Sequence, residues 1–355
     1  MNFLTNFFVR LSFRAAIRQR TWRKIAAQTS HGFSLDQCLT QLQQRAFARR
    51  SPLARVFAQF LEFLNLGHNF GACLTGYASQ EEIMLISSGQ QSGKLPEGLE
   101  LAALLLSARR TITKAVTSTL VYPTFLFFMC GILLFIVSVV VMPELTKFSD
   151  PAKWTGPAFF LYITSSFFVS PAGAFVMVLI IFSLASTVLT LPIFTGRFRL
   201  HLERIPPWSV YRLTVGCVWM FTLSTLMRSG IQLTYILDSM INSENISPYL
   251  RERITAIAIE ADSGKNLGDA LNDCGMNFPD SEMIDDLQVY SALPGFYKQL
   301  HQIASEWMAD GVELIKLQTR FLNIFALIFL IFILGIVASS IGSIQTQILP
   351  GVGGY

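Results

Sequence analysis

The chain has 355 residues, of which 52% are hydrophobic and 14% charged, with 30 Phe and a formal net charge of +4. A soluble domain carries about 25% charged residues, so an ordinary soluble protein is excluded, and this much apolar surface also excludes intrinsic disorder. The five cysteines show no CxxC and no Cys/His spacing, which excludes a disulfide framework or a structural zinc site.

Residues 1–24 form a basic amphipathic segment. The first 14 residues lack a continuous apolar core, and their arginines follow the apolar residues, so they do not read as a cleaved signal peptide. Arg10, Arg14 and Arg18 fall at i, i+4 spacing on one helix face, with Phe3, Phe7 and Leu11 on another. Two readings stand: a helix lying on an anionic membrane or a partner, or the first helix of a bundle.

Residues 25–120 predict a cytoplasmic bundle of short helices, since no strand pattern of useful length occurs. The first membrane span follows at 121–142, with no charge between Lys114 and Glu144. Residues 143–171 predict an outside loop with a short helix at 157–170. The second span is 172–191, with Pro171 at its first turn. Residues 192–320 predict a second cytoplasmic bundle, 321–344 a third span, and 345–355 an outside tail. Backbone polar groups left unpaired in hydrocarbon are costly, so each span is helical.

Lys and Arg orient the spans. Residues 1–120 hold 14, residues 143–171 hold 2, residues 192–320 hold 11, and none follows Arg320. The N-terminus is therefore expected in the cytoplasm and the C-terminus outside. That orientation keeps Cys38, Cys73, Cys217 and Cys274 in a reducing compartment.

The two inside regions repeat at an offset of about 198 residues. A G-x-x-L-x-x-x-L pattern occupies Gly32, Leu35 and Leu39, then Gly230, Leu233 and Leu237. A G-x-N-[FL]-G-x-x-L pattern holds Gly67 and Gly71, then Gly264 and Gly268. Glu82-Ile83 matches Glu282-Met283, and Leu95-Pro96 matches Leu293-Pro294. The glycines sit where one helix closes and the next begins. The fold class is thus all-α: a polytopic membrane protein with three transmembrane helices and two repeated cytoplasmic bundles. The copies differ in charge. Residues 1–120 carry 14 basic and 6 acidic side chains, and residues 192–320 carry 11 and 15. Opposite charges on a duplicated fold suggest two docking surfaces, or drift of solvated helix faces.

No catalytic or metal-binding constellation emerges. The GQQSGKL segment at 89–95 falls short of a phosphate loop, which needs four residues between its glycines and Ser or Thr after Lys. Residues 262–273 fall short of a calcium loop, with Leu267 at the sixth position and Asp273 at the twelfth. The four histidines (31, 68, 201 and 301) are scattered. Asn323 is the strongest polar residue of the third span. It either hydrogen-bonds a neighbouring helix or a partner, or lies at the interface near Arg320.

These motifs, in this order, resemble the inner-membrane platform protein shared by type II secretion systems and type IV pilus machines, over nearly the whole chain. The family's G-E-x-S-G-x-L pattern corresponds to 89–95, and its Tyr-Pro pair opening the first span to Tyr122 and Pro123. Residues 192–196 resemble the family's entry into the second copy. Gln90 replaces the family's acidic residue, and Asn323-Ile324 stands where a Glu-Pro pair is common. The short length is similar to the branch serving bundle-forming and conjugative thin pili.

The resemblance implies a non-enzymatic inner-membrane protein without cofactor, metal or nucleic acid. Its implied partners are a cytoplasmic assembly ATPase, pilin subunits, other inner-membrane assembly proteins, the lipid bilayer and further copies of itself. A transporter or channel subunit is the alternative, although these spans contain few polar residues to line a path. The basic first copy is the expected ATPase surface, with Arg45, Arg49, Arg50 and Arg55 facing protein while Arg10, Arg14 and Arg18 face lipid.

Overall fold

The computed structural model describes residues 12–148, 150–243, 246–293 and 296–348. Among these every regular element is a helix. The chain divides into two compact units: Met1–Lys114 with Pro192–Glu313, and Ala115–Leu191 with Leu314–Tyr355.

The first unit holds both copies of the repeat. The first copy runs α1 (Ala15–Ser30), α2 (Leu35–Ala48), α3 (Leu53–Asn65), α4 (Phe70–Cys73), α5 (Gln80–Gln91) and the start of α6 (Leu95–Ile136). Its core is a cluster of edge-on aromatic rings: Phe13 lies 5.7 Å from Trp22 and 5.9 Å from Phe60, and Phe60 lies 6.0 Å from Phe70.

Past the second unit, α10 (Arg197–Leu202) opens the second half of this unit. The second copy then repeats the order as α11 (Trp208–Arg228), α12 (Leu233–Ile241), α13 (Pro248–Asp262), α14 (Leu267–Asp273), α15 (Ser281–Ser291) and the start of α16 (Phe296–Ile348). Six helices follow one another in both copies, with the fourth the shortest and the sixth the longest.

The repeated glycines do the same job twice. Gly32 and Gly230 adopt φ of +88° and +86° just past α1 and α11. Phe33 N–H then donates back to Gln28 O at 3.2 Å, and Ile231 N–H to Leu226 O at 3.3 Å, the six-to-one bond that closes a helix. Leu39 and Leu237 are fully buried. Gly67 and Gly264 again take positive φ. Asn69 Oδ1 caps α4 by accepting from Ala72 N–H at 2.7 Å, and Asn266 Oδ1 caps α14 from Asp269 N–H at 2.9 Å. Gly71 and Gly268 lie where a side chain would collide with the fifth helix of their copy.

The second half of the first unit buries a charge network of its own. Glu203 Oε1 accepts from Arg199 Nε at 3.4 Å and Arg253 Nη2 at 3.1 Å, with all three side chains at most 2% exposed. The Tyr249 ring faces both guanidinium groups, at 4.9 and 5.0 Å. Two cations around one anion are compensated here by ring faces as well as by the carboxylate.

The second unit contains the rest of α6, a π-helical turn at Val137–Val141, α7 (Met142–Phe148), a 3-10 turn at Pro151–Lys153, α8 (Pro157–Val169), α9 (Pro171–Thr190) and the rest of α16. Ser170 and Pro171 start α9: the Ser170 hydroxyl accepts from Gly173 N–H at 3.0 Å. Val137, Met142, Trp154, Ala158 and Leu161 form a small core, with Ile336 and Val337 against it. Ser340 Oγ lies 2.8 Å from Pro157 O within this unit.

Among the described residues four helical stretches are long and apolar enough to cross a membrane: Leu95–Lys147, Pro171–Thr190, Trp208–Arg228 and Asn323–Ser340. They differ in burial. The apolar window of Pro171–Thr190 is 6% buried and that of Asn323–Ser340 17%, whereas that of Trp208–Arg228 is 67% buried. A helix whose apolar residues already have protein partners has little left to offer lipid. Trp208–Arg228 is α11, the first helix of the second copy.

Candidate docking surfaces

The α2–α3 turn carries a cluster of exposed positive charge in the first copy. Arg45, Arg49, Arg50 and Arg55 are all exposed. None of the four forms an ion pair with a described residue. Phe47, between them, is 79% exposed. Arg50 closes α2 with φ of +52°. Ser51 N–H then donates to Ala46 O at 2.9 Å. Gly performs this closure at Gly32, Gly67, Gly230 and Gly264; a residue with a Cβ there costs about 1 kcal/mol. The matching α12–α13 turn of the second copy carries Asn242, Ser243 and Ser247, and Arg251 is turned back onto Ile241 O and Ser243 O.

The N-terminal arginines part ways. Arg10 lies outside the described residues. Arg14 is the exposed residue preceding α1. Arg18 departs from the expected outward face. Its side chain is 14% exposed and donates to both oxygens of Glu82, at 2.9 and 3.0 Å. The reason is the helix start: α1 begins at Ala15, so the turn bearing Arg18 and Trp22 packs on α5.

The second copy presents the opposite charge. Glu282 and Asp285 are exposed on α15, one turn before Val289, which is 67% exposed. The segment once compared with a calcium loop is closed by a lysine: Lys265 Nζ lies 2.6 Å from Glu260 and 2.7 Å from Asp273. These two acceptors raise its pKa. Among the described residues no group of three His, Cys, Asp or Glu is arranged to hold a metal.

The phosphate-loop look-alike is a helix–turn–helix. α5 ends at Gln91, Gly93 turns the chain with φ of +71°, and α6 begins at Leu95. Gly89 sits so close to Gly98 that a Cβ on it would meet Gly98 Cα at 2.9 Å. Gln90 accepts from Phe70 N–H at 2.8 Å and so caps α4. The glycines thus serve helix packing. Lys94 is exposed, 3.9 Å from Glu97.

Tyr122 is 49% exposed and Pro123 lies inside α6, which runs unbroken from Leu95. Asn323 is partly buried, and its Oδ1 has no partner among the described residues. The sequence picks out Arg50 by its charge alone; its left-handed backbone conformation has no trace in composition or periodicity.

The family model described as type II secretion system (T2SS), protein F, matches residues 22–143 and 219–343. The matched segments begin 197 residues apart and end 200 apart, the offset of the repeat. Toxin coregulated pilus biosynthesis protein E of Vibrio cholerae serotype O1 (strain ATCC 39315 / El Tor Inaba N16961) is 24% identical over 237 residues, covering 66% of this chain and 67% of that protein.

Proposed function

The chain belongs to the type II secretion system protein F family, the inner-membrane platform proteins of type II secretion and type IV pilus machines, and from that premise we propose that it couples a cytoplasmic assembly ATPase to pilin subunits leaving the membrane. The carrying observation is the α2–α3 turn. An arginine is kept in a backbone conformation that favours glycine, beside an almost fully exposed Phe47 and three more unpaired arginines. Strain at an exposed turn points to a side chain retained for what it contacts. A cationic rim around an aromatic anchor suits an acidic protein surface, where charge speeds association and the ring contributes buried area.

The remaining features support a scaffold rather than a catalyst. The family is not a known enzyme family, and the glycine-rich segment at 89–95 packs helices instead of cradling phosphate. Three spans, at 121–142, 172–191 and 321–344, would hold the protein with its N-terminus in the cytoplasm, as the distribution of Lys and Arg supports. Further copies of the chain and other inner-membrane assembly proteins would complete the platform.

Capture of the assembly ATPase by the detergent-solubilised full chain tests the reading. Charge reversal at Arg49 and Arg50 should abolish capture, and high salt should weaken capture by the unaltered chain. Reversal at Glu282 and Asp285 should leave it intact. If the Arg49/Arg50 variant still captures the ATPase, the surface is wrong; if the unaltered chain captures none, direct coupling falls. A reporter fused after Gly351 that is active only in the cytoplasm would overturn the topology.

A further inference from the structure

The segment that opens the second half of the first unit has its polarity reversed. On α10 and the turn after it, Arg199 and Glu203 are the buried residues, with side chains 0% and 2% exposed. The exposed residues are Arg197, Phe198, His201, Arg204 and Ile205, at spacings of three and four that gather them on one face. Phe198 is 68% exposed and Ile205 57%, and Ile193 just upstream is 61% exposed. A helix facing water does the opposite: it buries its apolar side chains and exposes its charges. Neither Arg197 nor Arg204 has an ion-pair partner among the described residues. From Pro192 to Leu237 the only acid is Glu203, so the exposed face carries positive charge and apolar surface with no acid of its own. The segment is fixed to the bundle at the start of α13. Tyr249 N–H donates to Pro192 O at 3.1 Å, and Gly196 N–H to Glu252 Oε1 at 2.9 Å.

We propose that residues 193–205 are a membrane-interface anchor. Ile193, Phe198 and Ile205 enter the boundary between headgroups and acyl chains, and Arg197 and Arg204 contact the phosphates of anionic phospholipids. The chain itself says what covers this face. Ile193 follows Thr190, the last residue of an apolar stretch able to cross a membrane, by three residues, a reach of at most about 11 Å. The proposal rests on the reading of that stretch as a span. An interfacial segment sinks its apolar side chains about 5–10 Å into the headgroup boundary, while basic side chains beside them meet anionic lipid. Turning Glu203 into the bundle, onto Arg199 and Arg253, removes the one carboxylate that would repel phosphate there. Through the two bonds to α13, the anchor ties the second copy to the bilayer surface. The proposal is independent of the ATPase reading.

The sample is the full chain in nanodiscs of mixed phosphatidylcholine and phosphatidylglycerol. Photoreactive benzoylphenylalanine replaces one phenylalanine at a time, and mass spectrometry identifies the adducts. Phe175, 68% exposed within Pro171–Thr190, reads the span itself, and Phe47 reads chance encounters. Irradiation at position 198 should give phospholipid adducts well above the level at position 47, with phosphatidylglycerol enriched at least about fivefold over its share of the mixture. Arg197→Gln together with Arg204→Gln should remove that enrichment while the unfolding temperature holds. If the double variant unfolds, the enrichment in the chain with both arginines still decides. Lipid adducts at position 175 but not above chance at position 198 would overturn the anchor and leave the span standing. None at either position would overturn the span reading and the anchor with it. A crosslink from position 198 to a second chain would overturn the anchor in favour of contact between copies. Lipid adducts at position 198 without enrichment of phosphatidylglycerol would overturn the headgroup contacts of Arg197 and Arg204.

Discussion

Arg18 on α1 and Glu82 on α5 form a two-point ion pair, Nη2 to Oε1 at 2.9 Å and Nε to Oε2 at 3.0 Å, around a carboxylate with no exposed surface. Trp22 Nε1–H adds a third bond at 3.1 Å, and Ser79 N–H a fourth at 3.1 Å. The second copy repeats the device one helical turn earlier, with Arg212 on α11 paired to Asp280 before α15 at 2.8 Å. In each copy the first helix is clipped by an arginine to the acidic start of the fifth.

Glu82→Ala should therefore be among the most damaging single substitutions in the first copy. It strands the Arg18 charge and two N–H donors, a loss of about 3–5 kcal/mol for a broken buried pair. Asp280→Ala should cost less, because the Asp280 side chain is 26% exposed and water can replace it. Thermal unfolding of both variants of the full chain checks the order, and equal losses would count against the burial argument.

The close glycines predict an asymmetry between the copies. A Cβ at Gly268 would meet Leu287 O at 2.5 Å and Gln288 Cα at 2.7 Å, both backbone atoms of α15. Gly268→Ala must then displace a helix, which costs about 1–3 kcal/mol. At Gly71 the first obstacle is the Ser87 hydroxyl, a group that can rotate. Gly71→Ala should be milder, and Ser87→Ala on the same chain should recover most of its loss. A Gly71→Ala defect that Ser87→Ala leaves unchanged would show that the backbone is at fault.

Arg50 separates stability from docking. Replacing it with Gly removes the left-handed strain and should stabilise the chain by up to about 1 kcal/mol. The same variant should lose affinity for the assembly ATPase. Unfolding temperature and ATPase capture, measured on one preparation, should move in opposite directions. A destabilised Arg50→Gly chain would mean that the arginine makes a structural contribution.

His301 on α16 gives the second copy a pH response. Its ring lies 5.2 Å from Phe221, and Nδ1 lies 3.5 Å from the hydroxyls of Ser224 and Thr225. Desolvation pushes its pKa below the ordinary 6.5, and the nearby Arg228 adds to the effect. The unfolded chain then takes up a proton that the folded chain resists. The His301 contribution is complete above pH 6.5 and is lost as pH falls from there through the folded pKa. Unfolding of His301→Leu should show a shallower loss of stability on acidification than the unaltered chain. Identical slopes would exclude this residue as the source.

The residues that look alike along the chain are not always those that act alike in space. Glu82-Ile83 aligns with Glu282-Met283, yet Glu82 is buried and clipped while Glu282 is exposed, and Asp280 takes the paired role. The alignment follows apolar spacing, which tolerates a two-residue slip at a helix start. Arg10, Arg14 and Arg18 share one face only if a single helix runs through them; α1 starts at Ala15, and Arg18 turns inward.

By itself the sequence determined the helical class, the apolar segments, the duplication and the charge contrast between copies. Each depends on local rules: continuous apolar runs for hydrocarbon, glycine where a helix closes with positive φ, and a Leu one turn further on for the core. Only the tertiary structure showed that the apolar window of Trp208–Arg228 is 67% buried within the protein, and that both copies share one compact unit. It alone put Arg50 in a left-handed turn and brought Arg109 and Trp219 to the wall of one cavity. These outcomes depend on partners far away in the chain, such as Arg18 meeting Glu82. Hydropathy and periodicity report only what a residue prefers to be near, whereas burial and hydrogen-bond satisfaction depend on which groups the fold brings there.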